Sequence, residues 1–165
     1  MRAEIKSFQE KDLDRITQLI LRSNQFNLTT KRYKIDEIKK FINDKKYKTF
    51  QIRLEDIFGD NGLISIVICK EEDKSWEIDT WIMSCRVLGR KVEEFILSQV
   101  QNSAFKNGIT ELRGTYIKTS KNDLVKDHYK KLGFLQIKNI SNSGSSYWQL
   151  KIDGKPKKNK FINLK

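Results

Sequence analysis

Apolar residues recur along the chain with two different periods. Between residues 12 and 23, Leu13, Ile16, Leu19 and Ile20 fall at the 3.6-residue spacing of an amphipathic helix. Ile35, Ile38, Phe41 and Ile42 predict a second helix over about 34–43. A short strand at 2–8 precedes both, and the polar loop Asn24-Gln25-Phe26-Asn27-Leu28-Thr29-Thr30 lies between them. The pattern then changes to three strand-like segments, 47–56, 62–71 and 75–84. The connections Phe58-Gly59-Asp60-Asn61-Gly62 and Glu71-Glu72-Asp73-Lys74 read as hairpin turns, which makes the three an antiparallel meander. The middle segment, Leu63 to Cys69, is nearly all apolar and must be covered on both faces, so helices are expected on both sides of the sheet.

Helical spacing returns after Lys91, where Val92, Phe95, Ile96 and Val100 predict a helix to about Asn107 with Gly108 just past its end. A strand at 109–116, a short helix at 122–131 closed by Gly133, and two strands near 134–138 and 146–151 complete the pattern. The order β-α-α-β-β-β-α-β-α-β-β describes one α/β (α+β) domain around a mixed sheet, over residues 1–152. Residues 153–165, with the run Lys155-Pro156-Lys157-Lys158-Asn159-Lys160, read as a flexible basic tail.

Composition narrows the function classes. The 165 residues suit a single domain, and 38% hydrophobic content with nine Phe, five Tyr and three Trp excludes wholesale disorder. The net charge is +12, but +5 of it falls from Lys151 onward, so the body carries +7. No helix-turn-helix spacing or RNA-recognition aromatic motif accompanies that charge, which argues against a nucleic-acid binder. Cys69 and Cys85 stand in separate apolar stretches with no Cys/His cluster, which excludes structural zinc and a disulfide framework. No apolar run approaches membrane-spanning length, and no apolar leader follows Met1, so a cytoplasmic protein without a membrane contact is expected.

Two constellations carry candidate chemistry. The first is the strand-to-helix junction from Trp81 to Val92. A tight turn containing Gly89 that opens a helix presents unpaired backbone N–H groups and the positive end of the helix dipole, suited to a phosphate or pyrophosphate. Arg86, Arg90 and Lys91 add three cations, although an ordinary solvated basic loop has the same look. The second runs from Asn122 through Tyr129 to Gly133-Phe134.

In this order, a meander, Arg86-Val87-Leu88-Gly89-Arg90, a strand, and Asn122 followed by Tyr129 and Gly133-Phe134, the chain resembles the GNAT superfamily of acyl-CoA-dependent N-acetyltransferases. The loop from Asn24 to Thr30 with Arg32-Tyr33, the turn from Phe58 to Leu63, and the stretch from Ile78 to Arg90 are similar to the C-terminal GNAT-like domain of FkbH-like proteins. The HAD-type phosphatase-like half of that family is missing, and Asp12-Leu13-Asp14 reads as helix-dipole carboxylates instead of its Asp-x-Asp motif.

The resemblance implies acyl transfer from acetyl-CoA or another acyl-CoA to an amine or similar small-molecule acceptor. The backbone at Val87, Leu88, Gly89, Arg90 and Lys91 would hold the pyrophosphate, with Met83, Cys85 and Arg86 beside it, and Asn122 would hold the pantetheine arm or the helix start. Lys91 departs from the pattern, which has Gly or Ala there; a lysine either pairs with a phosphate or obstructs the site. Tyr129 would be the general acid, or a packing residue. Asp79 would be the general base, or a structural carboxylate; with Glu77, Trp81, Met83 and Cys85 it shares one strand face if no bulge intervenes, and burial would raise its pKa. Asn24, Gln25, Asn27 and Thr29 would form the acceptor loop, or serve as turn and cap residues. Cys85 reads better as a small buried hydrophobe than as an acyl carrier, and His128 as a surface or packing residue. The alternative function is an FkbH-type accessory domain in secondary-metabolite or glycan biosynthesis. It would bind the phosphopantetheine of an acyl carrier protein or a separate HAD-type partner, with homodimerisation left open. No metal is expected.

Overall fold

Strand β1 (Arg2–Lys6) leads through a 3-10 turn at Glu10–Asp12 into α1 (Leu13–Arg22), and α2 (Ile35–Asn43) follows, in a computed structural model describing residues 1–140, 143–155 and 157–165, with 138–140 as backbone only. Then come β2 (Tyr47–Asp56), β3 (Gly59–Glu72), β4 (Ser75–Met83), α3 (Val92–Lys106), β5 (Glu111–Tyr116), α4 (His128–Lys131), β6 (Leu135–Ile140), β7 (Ser145–Lys151) and β8 (Asn163–Leu164). One eight-stranded sheet has the order β6-β7-β5-β4-β3-β2-β1-β8. β4 and β5 are parallel, as are β1 and β8, and the other neighbours are antiparallel.

The apolar residues of β3 divide between two cores, as a strand covered on both faces requires. Leu63, Ile66 and Ile68 pack with Leu13, Ile16, Leu19 and Ile20 of α1 and Ile38 of α2. Ile64, Val67 and Cys69 join Trp76, Ile78, Trp81, Val92, Phe95, Ile96, Val100 and Tyr129 on the other side. Each aliphatic side chain fully buried in this way contributes about 1.5–3 kcal/mol.

Four expectations are corrected. Asn61-Gly62 is not the hairpin turn: Asp56 pairs with Gly59 across Ile57-Phe58, and Asn61-Gly62 lies in the irregular stretch where the β2–β3 register shifts. The helix expected over 122–131 is broken into a 3-10 turn at Asp123–Val125 and the four-residue α4. Asn122, Val125 and His128 are all buried at three-residue spacing, which suits the 3-10 period and not the α period. Asp12 does more than face a helix dipole: it is buried, accepting from Gln51 Nε2 at 2.7 Å and pairing with Arg53 at 2.7 Å. The hydrogen bond from Gln51, ahead of Arg53, holds its carboxyl below the usual range.

The basic tail is not free. Asn163 N–H donates to Met1 O at 3.1 Å and Lys165 N–H to Ala3 O at 2.8 Å, while Ile162 is buried in the core. Lys157 exchanges two hydrogen bonds with the Asn102 side chain. An apolar Ile162-x-Leu164 within a lysine run and an unpaired edge on β1 are what pin it; Pro156 lies outside the described residues.

Candidate functional site

β4 leaves the sheet at Ser84 and makes a 3-10 turn at Cys85–Val87 before α3. Val87 and Leu88 donate their N–H groups within this turn, to Ser84 O and Cys85 O, so two members of the expected donor set are already engaged. The N–H groups of Gly89, Arg90 and Lys91 donate to no other described group. Gly89 (φ 74°) and Lys91 (φ 60°) are both left-handed, which bends these amides into a concavity of the kind that suits an anion, at the start of a fifteen-residue helix. A left-handed lysine costs about 1 kcal/mol, which accounts for the preference for glycine at such a position.

The cations of the turn point elsewhere. Arg90 pairs with Asp56 of the β2–β3 hairpin at 2.5 Å, and this contact, with the Phe58 amide and Asn61, lowers the Asp56 carboxyl to about 2. Lys91 Nζ lies 4.2 Å over the ring of Phe161 in the tail, so its charge is directed at that ring. Arg86 bonds to Ser84 Oγ at 3.3 Å and is exposed. Glu93 and Glu94 occupy the first turn of α3, and burial, reinforced by Glu94, raises the Glu93 pKa.

Parallel strands β4 and β5 pair only over Ser75–Ile78 and Glu111–Gly114 and then diverge. A crevice between the carboxyl ends of parallel strands is a common ligand site in α/β sheets. Here the chain fills it with its own backbone. Asn27 bridges to Ile82, Met83 N–H donates to Phe26 O at 3.3 Å, and Ile117 N–H, just past β5, donates to Leu28 O at 2.8 Å. Asn122 is fully buried and gives its Nδ2 protons to Asn27 O and Ile117 O, while its Oδ1 accepts from Thr119 N–H and Tyr116 OH. Asn122 therefore fastens residues 26–28 into the crevice instead of facing it. Asn27 Oδ1 accepts from Thr30 N–H, and Thr29 Oγ donates to Asp79 O. Both are buried turn residues, whereas Asn24 and Gln25 remain exposed.

A bulge at Asp79 overturns the shared-face expectation. Ile68 pairs with Thr80 and Cys69 with Ile78, so Asp79 is the extra residue, and Trp76, Ile78, Trp81 and Met83 fall into one core. The Asp79 carboxylate turns to the loop before α2, where Lys31 Nζ lies at 2.5 Å and Tyr33 OH at 2.6 Å, with Thr80 Oγ at 2.9 Å. Neither Lys31 nor Tyr33 was legible as its partner, since they lie 48 and 46 positions away. Glu77 is the β4 carboxylate whose pKa burial raises; it accepts from Thr115 Oγ at 3.0 Å, beside the point where β4 and β5 part.

Tyr129 is 1% exposed and its hydroxyl has no hydrogen-bond partner among the described residues. Its ring lies over Gly114, where an added Cβ would meet ring carbons at 2.3–2.7 Å, so β5 has a glycine there because the tyrosine occupies the space. Burial first, and then Glu77, push its pKa well above the ordinary value of 10.0. His128 is buried among Phe26, Trp81 and Tyr129, and desolvation lowers its pKa to about 3, so the packing reading applies. Cys85 is exposed, contrary to its reading as a buried hydrophobe, because it opens the 3-10 turn outside the sheet; Cys69 is the buried thiol.

The expected site is thus divided. Leu88, Gly89 and Lys91 line a cavity of about 340 Å³ with Glu93, His128 and Lys131. Met83, Cys85 and Arg86 line a separate cleft with Asn24 and Gln25. Among the described residues, no side-chain cluster could hold a metal ion and no helix is long and apolar enough to cross a membrane. The free amides at Gly89–Lys91 fit a pyrophosphate. The crevice beside them, filled by residues 26–28, does not fit an extended thiol arm while that segment stays in place.

No family model matches the chain, and no curated protein matches it in sequence. Solved structures do match it. The ribosomal-protein-S18-alanine N-acetyltransferase of Escherichia coli superposes with a TM-score of 0.68 at 13% identity, covering 91% of this chain and 94% of that one. The spermidine N-acetyltransferase of Vibrio cholerae, solved with CoA and spermine, gives 0.67 at 15% identity over 93% and 97%. A domain from Methanocaldococcus jannaschii gives 0.68 at 15% over 91% and 98%. With this strand order and these neighbours, the chain has the GNAT acyltransferase fold.

Proposed function

We propose that this protein is an acyltransferase that takes an acyl group from acetyl-CoA or another acyl-CoA and passes it to an amine or similar small acceptor. The observation that carries the reading is the run of three free N–H groups at Gly89, Arg90 and Lys91, bent by two left-handed residues at the start of α3. Bound there, a CoA thioester supplies the activated acyl group. Of this chain's own groups, Glu77 has the raised pKa of a base, whereas Asp79 is held by Lys31 and Tyr33. Tyr129 keeps its proton throughout the ordinary pH range and is the candidate acid. Its sealed hydroxyl and the filled crevice require residues 26–28 to withdraw before acyl transfer.

A second reading is favoured by that same filling: an FkbH-type accessory domain with little chemistry of its own, which docks the phosphopantetheine of an acidic acyl carrier protein or a separate HAD-type partner in the cytoplasm. Calorimetry with acetyl-CoA on wild type and Lys91→Gly, paired with amide exchange, separates the two. The acyltransferase reading expects binding, with faster exchange at Met83 and Ile117 as their bonds to Phe26 and Leu28 open. Failure of both proteins to bind any acyl-CoA overturns it, and salt-dependent binding of holo-carrier protein would then support the second.

A further inference from the structure

A cleft of about 830 Å³ lies away from the Gly89 turn. It lies where the C-terminal end of α1, the loop at 24–26, the end of β4 and the loop at 120–121 meet. Among the described residues that line it, four are cations, Arg15, Arg22, Arg86 and Lys121, and none is an aspartate or glutamate. None of the four forms an ion pair with a carboxylate among the described residues. Arg15 reaches only Gln18 Oε1, at 3.5 Å, and Arg86 only Ser84 Oγ. This is unlike Lys31, Arg53, Arg90 and Arg113, each of which lies against an acid.

Like charges drawn into one concavity repel, and low-dielectric walls focus their field onto whatever enters. A bound anion relieves that repulsion. The walls also include apolar Leu19, Phe26 and Met83, and the volume falls within the range of about 300–1,000 Å³ found for small-molecule sites. Basic groups around an apolar floor suit an organic body that carries phosphate. We infer that this cleft binds a phosphorylated small molecule of about nucleotide size, with the phosphate held by Arg15, Arg22, Arg86 and Lys121. The site lies apart from the amides of Gly89–Lys91 and does not depend on CoA binding there.

Cys85 lines the cleft and is exposed, whereas Cys69 is fully buried, so the chain carries its own reporter. Alkylation of Cys85 by neutral iodoacetamide is followed by peptide mass spectrometry against inorganic pyrophosphate. Saturable protection is expected in wild type, weakened about tenfold or more in Arg15→Ala/Arg22→Ala, where charge-assisted hydrogen bonds are removed. Both arginines are on α1, where alanine favours the helix, and circular dichroism checks the fold. Lys39→Ala/Lys40→Ala removes equal charge from α2 and is expected to leave protection unchanged. Equal loss in that control would show a mere net-charge effect and overturn the inference, as would absence of protection. Protection that survives Arg15→Ala/Arg22→Ala would place the anion at the Gly89 turn and overturn it too. A protein that binds pyrophosphate this way but no CoA would leave this inference standing and remove the acyl-CoA reading.

Discussion

Tyr129 and Gly114 occupy one another's space, and this contact sets what the tyrosine can do. Because the hydroxyl is buried without a partner, removing it leaves no group newly unsatisfied. Tyr129→Phe is expected to leave the urea midpoint unchanged or to raise stability by up to about 1 kcal/mol. If Tyr129 is the general acid, the same variant loses acyl transfer by about 10²-fold or more; a variant of unchanged stability and unchanged turnover would end that role. His128 makes a second residue-scale prediction, and as the only histidine its titration is unambiguous. Its folded pKa of about 3 lies below the ordinary 6.5, because burial disfavours the charged ring. Above pH 6.5 neither folded nor unfolded chain holds the proton, and its contribution to stability is complete. As pH falls below 6.5 the unfolded chain takes a proton that the folded chain refuses, and stability falls by up to ~1.4 kcal/mol per pH unit. The loss runs down toward pH 3. Denaturation of wild type against His128→Phe between pH 7 and about 5, above the carboxylate range, should show this slope only in wild type.

At the scale of elements, a strand's neighbours matter as much as its own pattern. β4 alternates as expected until Asp79, where one extra residue lets Trp81 and Met83 rejoin the core of Trp76 and Ile78 while the carboxylate leaves for Lys31 and Tyr33. The tail shows the same dependence. Composition alone makes it a solvated lysine run, yet β1 offers an open edge that β8 covers, and Ile162 fills a place in the core. Deletion of residues 157–165 is expected to cost about 3 kcal/mol, mainly from Ile162, and to speed amide exchange in β1. A truncated chain with the wild-type urea midpoint and exchange pattern would show the docking to be inconsequential.

For the whole molecule, the arrangement separates two regions that are adjacent in sequence. Residues 83–86 face the broad basic cleft on the α1 side, while Leu88, Gly89 and Lys91 face the smaller cavity beside α3 and α4. Between them residues 26–28 close the sheet where β4 and β5 part. The type and order of the elements from β1 to β7, the double coverage of β3 and the glycine-containing turn before α3 were legible in the sequence, whereas β8 and the break in the helix over 122–131 were not. Each rests on a local repeat or a short motif: a 3.6-residue period, an unbroken apolar run, a glycine before a helix. What only the tertiary structure decided is which groups remain free to act. Asp79 is paired, Asn122 is a clasp, Cys85 is exposed and Arg15 with Arg22 stands without carboxylate partners among the described residues, because these outcomes depend on how distant backbone paths cross. No spacing along the chain records that crossing.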